Sequence, residues 1–292
     1  MKIAVIGSSG QLGVDLTKEI VRSGHEVLAI SGRAQLDVTN TDAVAAMLDS
    51  GRPAAVVNTA SFHNVDLCES EPEQAFLVNV VAVGNLADQC RKRNIMLVQI
   101  GTDYVMDGWP ENKPLPETAA AHPHSIYAIT RFGGDCITLT RAPEHGYVVR
   151  TCGLFGTAGC KLKGGMNFVD SMIAAARAGK PLRVVSDQIV APTSTEELAK
   201  QLIDLMEKKP GPGLYHAVSH GECSWHEFAV ASLKLAGINH PVAAVSTEEF
   251  AAPARRPRYS VLDNARLRTL GMDMMGHWRN ALQRYIAIKY KS

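Results

Sequence analysis

The chain has 292 residues, enough for one large or two small domains, and its 46% hydrophobic and 20% charged content is that of an ordinary globular protein. With 30 Lys and Arg against 29 Asp and Glu, the formal net charge is +1. No overall field therefore grips nucleic acid or an anionic membrane, and an anionic ligand has to be held by local groups.

Taken in order, the chain alternates short β-branched runs with longer helical patterns. The first run, 3–6, breaks at once into glycine and serine, too early for a signal peptide. No apolar stretch approaches the ~20 residues of a membrane span. Strands are predicted at 3–6, 26–30, 55–58, 95–100 and 147–151, with helices at 11–23, 41–50, 72–93 and 125–141 between them. That rhythm predicts a parallel sheet wrapped by helices, with right-handed crossovers. Beyond Thr151 the rhythm changes. Residues 157–165, rich in glycine and lysine, read as a mobile loop, followed by a helix at 167–179 and a strand at 182–185. Ser194-Thr195-Glu196-Glu197 and Ser224-Trp225-His226-Glu227 each have the spacing of a capping box that opens a helix. Residues 210–213 form a turn, 251–257 an extended loop, and 278–288 a last amphipathic helix. The division expected is 1–151 for a nucleotide-binding domain and 152–292 mainly for a substrate-binding part, with some elements returning to the first. The six cysteines, Cys68, Cys90, Cys136, Cys152, Cys160 and Cys223, have neither C-x-x-C nor metal-like spacing. Free thiols, no metal site and a reduced, cytoplasmic setting are expected.

Two segments carry chemistry. Gly7-Ser8-Ser9-Gly10-Gln11-Leu12-Gly13 follows a strand and opens a helix. Glycines there let the backbone approach a pyrophosphate, and the helix N-terminus offers unpaired N–H groups. After the second strand the sequence runs Ser31-Gly32-Arg33, with no acid for ribose hydroxyls and an arginine for a 2′-phosphate. This favours NADP (NADPH) over NAD. The second segment is Tyr127-Ala128-Ile129-Thr130-Arg131, whose tyrosine and arginine share a helix face. Thr102 lies at the C-terminal end of a strand, where open α/β sheets bind ligands. Ketone reduction needs a hydride donor and an acid for the carbonyl oxygen. A phenol serves as that acid when a fixed cation stands beside it.

Together with these, Leu36-Asp37-Val38-Thr39, Val57-Asn58-Thr59-Ala60-Ser61, Val65-Asp66 and Glu69, residues 79–87, and Gly101-Thr102-Asp103-Tyr104-Val105-Met106-Asp107-Gly108 resemble the dTDP-4-dehydrorhamnose reductase family of extended short-chain dehydrogenase/reductases. Asp187-Gln188, Ala191-Pro192-Thr193, Gly213-Leu214-Tyr215-His216 and Ser224-Trp225-His226-Glu227 are similar to its C-terminal markers. The resemblance covers nearly the whole chain. It implies a doubly wound Rossmann-type α/β fold with a smaller, discontinuous C-terminal part.

It also implies roles. Thr102 would bond the sugar's C4 oxygen, Tyr127 would donate the proton, and Arg131 would hold the nicotinamide ribose. The cofactor would meet Gly7, Ser9, Gly10, Gln11, Leu12, Arg33, Asp37, Val38, Ala60, Ser61 and Asn79, with Tyr127 and Arg131. The nucleotide sugar would meet His63, Val65, Thr102, Tyr104, Asn167 and Arg256. A helix N-cap is the other reading of Asn167, and a loop charge that of Arg256. The chain departs from the family twice. Arg131 stands where the family has lysine, and Arg150-Thr151-Cys152-Gly153 where it often has R-T-S-W. The activity expected is NADPH-dependent reduction of a 4-keto-6-deoxy nucleotide sugar, with dTDP-4-dehydrorhamnose first among candidates and a homodimer as the assembly. Two rivals stand beside it. One is a cofactor-binding partner protein without turnover, since the regulatory beta subunit of methionine adenosyltransferase resembles the same family. The other is a related nucleotide-sugar epimerase or dehydratase.

Overall fold

A computed structural model describes residues 1–159 and 164–290. Cys160, in the segment read as a loop, lies outside the described residues. The elements run β1 (Lys2–Ile6), α1 (Gln11–Arg22), β2 (Glu26–Ile30), α2 (Thr41–Gly51), β3 (Ala55–Asn58), α3 (Val65–Ser70) and α4 (Pro72–Phe76). Then come a π turn (Leu77–Val81), α5 (Ala82–Lys92), β4 (Met96–Thr102), a short 3-10 turn (Asp103–Val105), α6 (Ile126–Arg141) and β5 (Gly146–Thr151). The C-terminal part adds α7 (Phe168–Arg177), β6 (Leu182–Val185), β7 (Ile189–Val190), α8 (Thr195–Lys208), β8 (Gly213–His216), β9 (Cys223–Ser224), α9 (Trp225–Leu235), β10 (Val242–Val245), α10 (Thr247–Phe250), α11 (Ala265–Thr269) and α12 (Trp278–Tyr290).

The main sheet is parallel throughout, in the order β2-β1-β3-β4-β5-β8. Successive strand residues point to opposite faces, so each strand feeds two cores. Ile3, Val5, Val57, Val98 and Val149 pack with Leu16 and Ile20 of α1 and Leu198 and Leu202 of α8. Ala4, Ile6, Val56 and Leu97 pack with Val44 and Leu48 of α2 and Leu86 and Cys90 of α5. Helices on both faces make the sheet doubly wound. The order reverses at β1, whose neighbours are β2 and β3, and a crevice opens beyond the strand ends there.

The smaller part has its own aromatic core of Phe155, Phe228, Trp278 and Tyr285, with the parallel pair β6–β10 and the antiparallel pair β7–β9. Asp66 of α3 accepts from Ala254 N–H at 3.1 Å and pairs with Arg256 at 3.0 Å. These contacts hold the 251–258 segment against the crevice side of the main sheet. No described helix is long and apolar enough to cross a membrane. The described cysteines are all free, Cys136 exposed and the other four buried.

Three local expectations need correction. The helix expected over 72–93 is interrupted by the π turn. The Ser194 box does not form: α8 starts at Thr195 with no side-chain cap, and Glu197 turns instead to Arg284 and the Gly276 N–H. The box at Ser224 and Glu227 does form. Residues 213–216, read as part of a turn and a marker, are the sixth strand of the main sheet, paired with β5.

Candidate active site

Two joined cavities of about 470 and 480 Å³ run along the C-terminal ends of the strands. They share Gly7, Gly32, Ala60 and Ser61, so they form one long cleft.

Its floor is the glycine loop. Gly7 has φ +87°, and a Cβ there would stand 2.4 Å from Thr59 Oγ1. Gly10, by contrast, is extended and would meet only Gly7 O, at 3.2 Å. The shape of the loop thus requires Gly7, whereas at Gly10 a side chain would press only on Gly7 O, beside the start of α1. No side chain caps that helix, so its first amides stay available to an anion. Gln11 donates to Leu154 O at 2.7 Å, and its Oε1 is buried without a partner. Thr151 Oγ1, at the end of β5, is likewise buried and unpartnered in the cleft wall. Such orphaned acceptors cost free energy unless a ligand supplies a donor. The open cradle and these orphans fit an elongated, polar dinucleotide.

At one end of the cleft, Leu36, Asp37, Val38 and Arg33 line the wall. Arg33 is 73% exposed and paired with Asp37 at 2.7 Å. Asp37 also accepts from the Thr39 hydroxyl at 2.7 Å and the Thr39 N–H at 3.0 Å, which with Arg33 hold its carboxyl below the usual range. The acid absent from the end of β2 is therefore supplied four residues after Arg33. A ligand phosphate at this end would compete with Asp37 for that arginine.

At the other end lie Thr102, Tyr127 and Arg131, from β4 and α6. Ser125 caps α6 by accepting from Ala128 N, which sets the rotation of the helix and turns Tyr127 and Arg131 toward β4. The Arg131 guanidinium stands 5.8 Å from the centre of the Tyr127 ring and donates to Ile100 O. The fork of the arginine is thus folded back onto the strand, and it is 7% exposed. Tyr104 meets the Tyr127 ring edge-on at 5.4 Å. His63, Val65 and Tyr104 line the same end, as do Ser9, Gly10, Gln11, Leu12, Ala60 and Ser61 along the floor.

Three residues expected at the ligand are placed elsewhere. Asn79, in the π turn, is buried behind the wall. It accepts from Phe62 N–H and donates to Phe62 O and Thr130 Oγ1, so it fixes the wall rather than facing the cleft. Asn167 is the N-cap of α7, closed in a capping box with Asp170, and its amide donates to Gly156 O and Tyr285 Oη. With every polar atom committed and only 2% exposed, it has nothing left for a sugar. Arg256 lies outside the lining, held by Asp66 and Ala254 O. Conversely, Leu154 lines the cleft without having been singled out, and Thr59, Thr151, Cys152 and Gly153, read only as parts of family-like segments, line it too. The signal was present, because β5 ends at Thr151 and strand ends are where such sheets bind.

With this geometry in place, the whole-chain comparisons are informative. The family model for the RmlD substrate binding domain matches residues 1–290. The chain is 38% identical to a dTDP-4-dehydrorhamnose reductase of Streptomyces griseus, over 95% of this chain and 90% of that protein. Its fold superimposes on a dTDP-4-dehydrorhamnose reductase of Clostridium acetobutylicum with a TM-score of 0.92 at 36% identity, covering 99% of each chain. A second similar structure, at a TM-score of 0.92 and 30% identity over 98% of this chain and 99% of the other, is the Bacillus anthracis dTDP-4-dehydrorhamnose reductase in complex with NADP.

Proposed function

The chain belongs to the RmlD substrate binding domain family, and from that membership we propose the reaction it carries out: NADPH-dependent reduction of the C4 ketone of a 4-keto-6-deoxy nucleotide sugar, with dTDP-4-dehydrorhamnose as substrate and dTDP-rhamnose as product. It is an oxidoreductase, as its relatives matched end to end are named. The observation that carries the reading is the meeting of Thr102, Tyr127 and Arg131 at one end of a cleft floored by the glycine loop.

When bound, NADPH supplies the hydride that reaches C4. The chain's own groups do the rest. The Gly7, Ser8 and Gly10 amides are spent on Ile30 O and Gly7 O, so the Ser9 amide and the first amides of α1 would hold the pyrophosphate. Arg33 leaves Asp37 for the 2′-phosphate and makes NADPH the preferred cofactor, with NAD as the weaker one. Asp37, Val38, Ala60 and Ser61 wall the adenosine half. Tyr127 donates the proton to the C4 oxygen. Arg131, a buried cation beside it, stabilises the phenolate left behind and grips the ribose. Thr102 bonds the same oxygen, and His63, Val65 and Tyr104 face the sugar.

The division of labour follows, with 1–151 holding the cofactor and the part after 152 closing over the substrate, apart from α8 and β8, which join the main sheet. A homodimer and a cytoplasmic setting complete the proposal. Exposed Phe76, Leu77 and Val81, close together around the π turn, support the dimer, and light scattering tests it.

The test of the function is incubation of the protein with NADPH and a panel of 4-keto-6-deoxy nucleotide sugars, following the absorbance of the reduced cofactor. Consumption of NADPH with the dTDP sugar is expected. Cofactor binding with no turnover on any sugar would replace the enzyme by a partner protein. In the same assay NADPH should outperform NADH, and Arg33→Ala should narrow the gap; equal wild-type use of both would remove Arg33 from the site.

A further inference from the structure

In the wall of the reacting end of the cleft, beside Thr102, lies a buried carboxylate to which no role has yet been given. Asp103 is 2% exposed and follows Thr102 at the end of β4. Its three side-chain partners are neutral. Ser260 donates to Oδ2 at 2.6 Å and the Cys152 thiol donates to Oδ2 at 3.0 Å, while Oδ1 shares a 3.2 Å hydrogen bond with Thr102 Oγ1. An ionised carboxylate at such a depth is normally paired with a cation.

The directions of these bonds can be worked out. The Cys152 thiol proton points to Asp103, at 3.0 Å. Oδ2 thus receives two donors and behaves as a carbonyl oxygen. Thr102 Oγ1 already accepts the Tyr104 N–H at 3.3 Å. The remaining question is who supplies the hydrogen between Oδ1 and Thr102. If Thr102 does, its only proton is spent, and it offers the cleft nothing but lone pairs. A ketone oxygen, itself an acceptor, then finds no donor there.

We propose that Asp103 is a positioning residue that holds its own proton on Oδ1 and donates it to Thr102, which turns the Thr102 proton toward the substrate carbonyl. Burial pushes the Asp103 carboxyl above the usual range, in keeping with this arrangement. Asp103 transfers nothing. Its proton stays on Oδ1 throughout, the proton reaching the C4 oxygen comes from Tyr127, and Thr102 only lends a hydrogen bond. The inference rests on the reductase reading for its kinetic consequence but not for the state of the acid.

Two measurements test it. The first is infrared difference spectroscopy of wild type minus Asp103→Asn at neutral pH, with NADP bound. The expected signal is the C=O stretch of one neutral carboxylic acid. A pair of carboxylate bands in its place overturns the proposal, whether or not the protein reduces sugars. The second is kinetic. Asp103→Ala should lower kcat about 10- to 100-fold with little change in NADPH affinity, because the bond to the oxygen strengthens as charge develops on it. Asp103→Asn, which keeps a donor toward Thr102, should recover most of that loss. In a Thr102→Ala background, Asp103→Ala should cost little more, since residues acting through one another are not additive. Full additivity in a wild type that turns over would sink the role of Asp103 and leave the reductase reading standing.

Discussion

At the scale of single residues, the structure sorts side chains that line the cleft from those that hold others in place. Tyr127, Thr102 and Arg131 line it, while Asn79 and Asn167 spend their amides on backbone and capping partners. Tyr127→Phe should therefore lower kcat about 10²- to 10⁴-fold, the usual worth of a positioned acid, with NADPH affinity nearly unchanged by calorimetry. A fully active Tyr127→Phe would place the proton donor elsewhere. The types and spacing of these residues were legible in the sequence, because i and i+4 share a helix face whatever the surroundings. The use of Asn167 was not, because a ligand-binding amide and a helix cap are the same residue type. Only the buried partners Gly156 and Tyr285, distant in sequence, decide between them. The pairing of Arg33 with Asp37 was not read from the sequence, because it takes the loop geometry to bring the two side chains together.

At the scale of elements, β1, its glycine loop and α1 act as one unit, and its two glycines answer to different demands. Gly7 holds a left-handed backbone with no room for a Cβ, so Gly7→Ala should destabilise the fold by about 1–3 kcal/mol or more, read as a lowered Tm. Gly10 is extended, and a Cβ there would meet only Gly7 O, at a close 3.2 Å. Gly10→Asp should fold normally and lose NADPH binding, because its carboxylate would occupy the anion site. Unchanged affinity in a folded Gly10→Asp would reduce the loop to a plain turn. The strands of this half were readable from short, nearly continuous apolar and β-branched runs. β8 was not, since Gly213-Leu214-Tyr215-His216 follows a proline-glycine turn without β-branched residues, and its place in the sheet comes from pairing with distant β5. The π turn also escaped, because one extra residue per turn leaves the helical pattern of 72–93 intact. What identifies it is Asn79 bonding across to Phe62 and Thr130. At Ser194, the long-range partners of Glu197 override a local capping signal.

At the scale of the whole molecule, the later half of the chain is tied into the main sheet through β8. His216 of that strand is fully buried, and its Nδ1 donates to Leu115 O at 3.1 Å and Asp263 O at 3.2 Å. Burial, with Arg150 nearby, pushes its pKa down to about 3. A histidine kept neutral in the fold stabilises it fully above the unfolded value of about 6.5, and that contribution is lost as pH falls from there toward the folded value. By pH 5 the loss is about 2 kcal/mol on this count. Denaturant titrations should show a shallower decline between pH 6.5 and 5 for His216→Gln than for wild type; parallel declines would mean that other groups carry the acid sensitivity. The architecture as a whole sets the glycine loop on the floor of a cleft and Tyr127 at one end of it, and the central claim is that hydride crosses to a sugar ketone beside Tyr127. The most direct test gives the protein NADPH carrying deuterium at its transferable position together with dTDP-4-dehydrorhamnose, and reads the product by NMR. Deuterium at C4 of dTDP-rhamnose, lost or greatly slowed in Tyr127→Phe, is the expected result; bound cofactor with its label retained and the sugar unchanged would contradict the account.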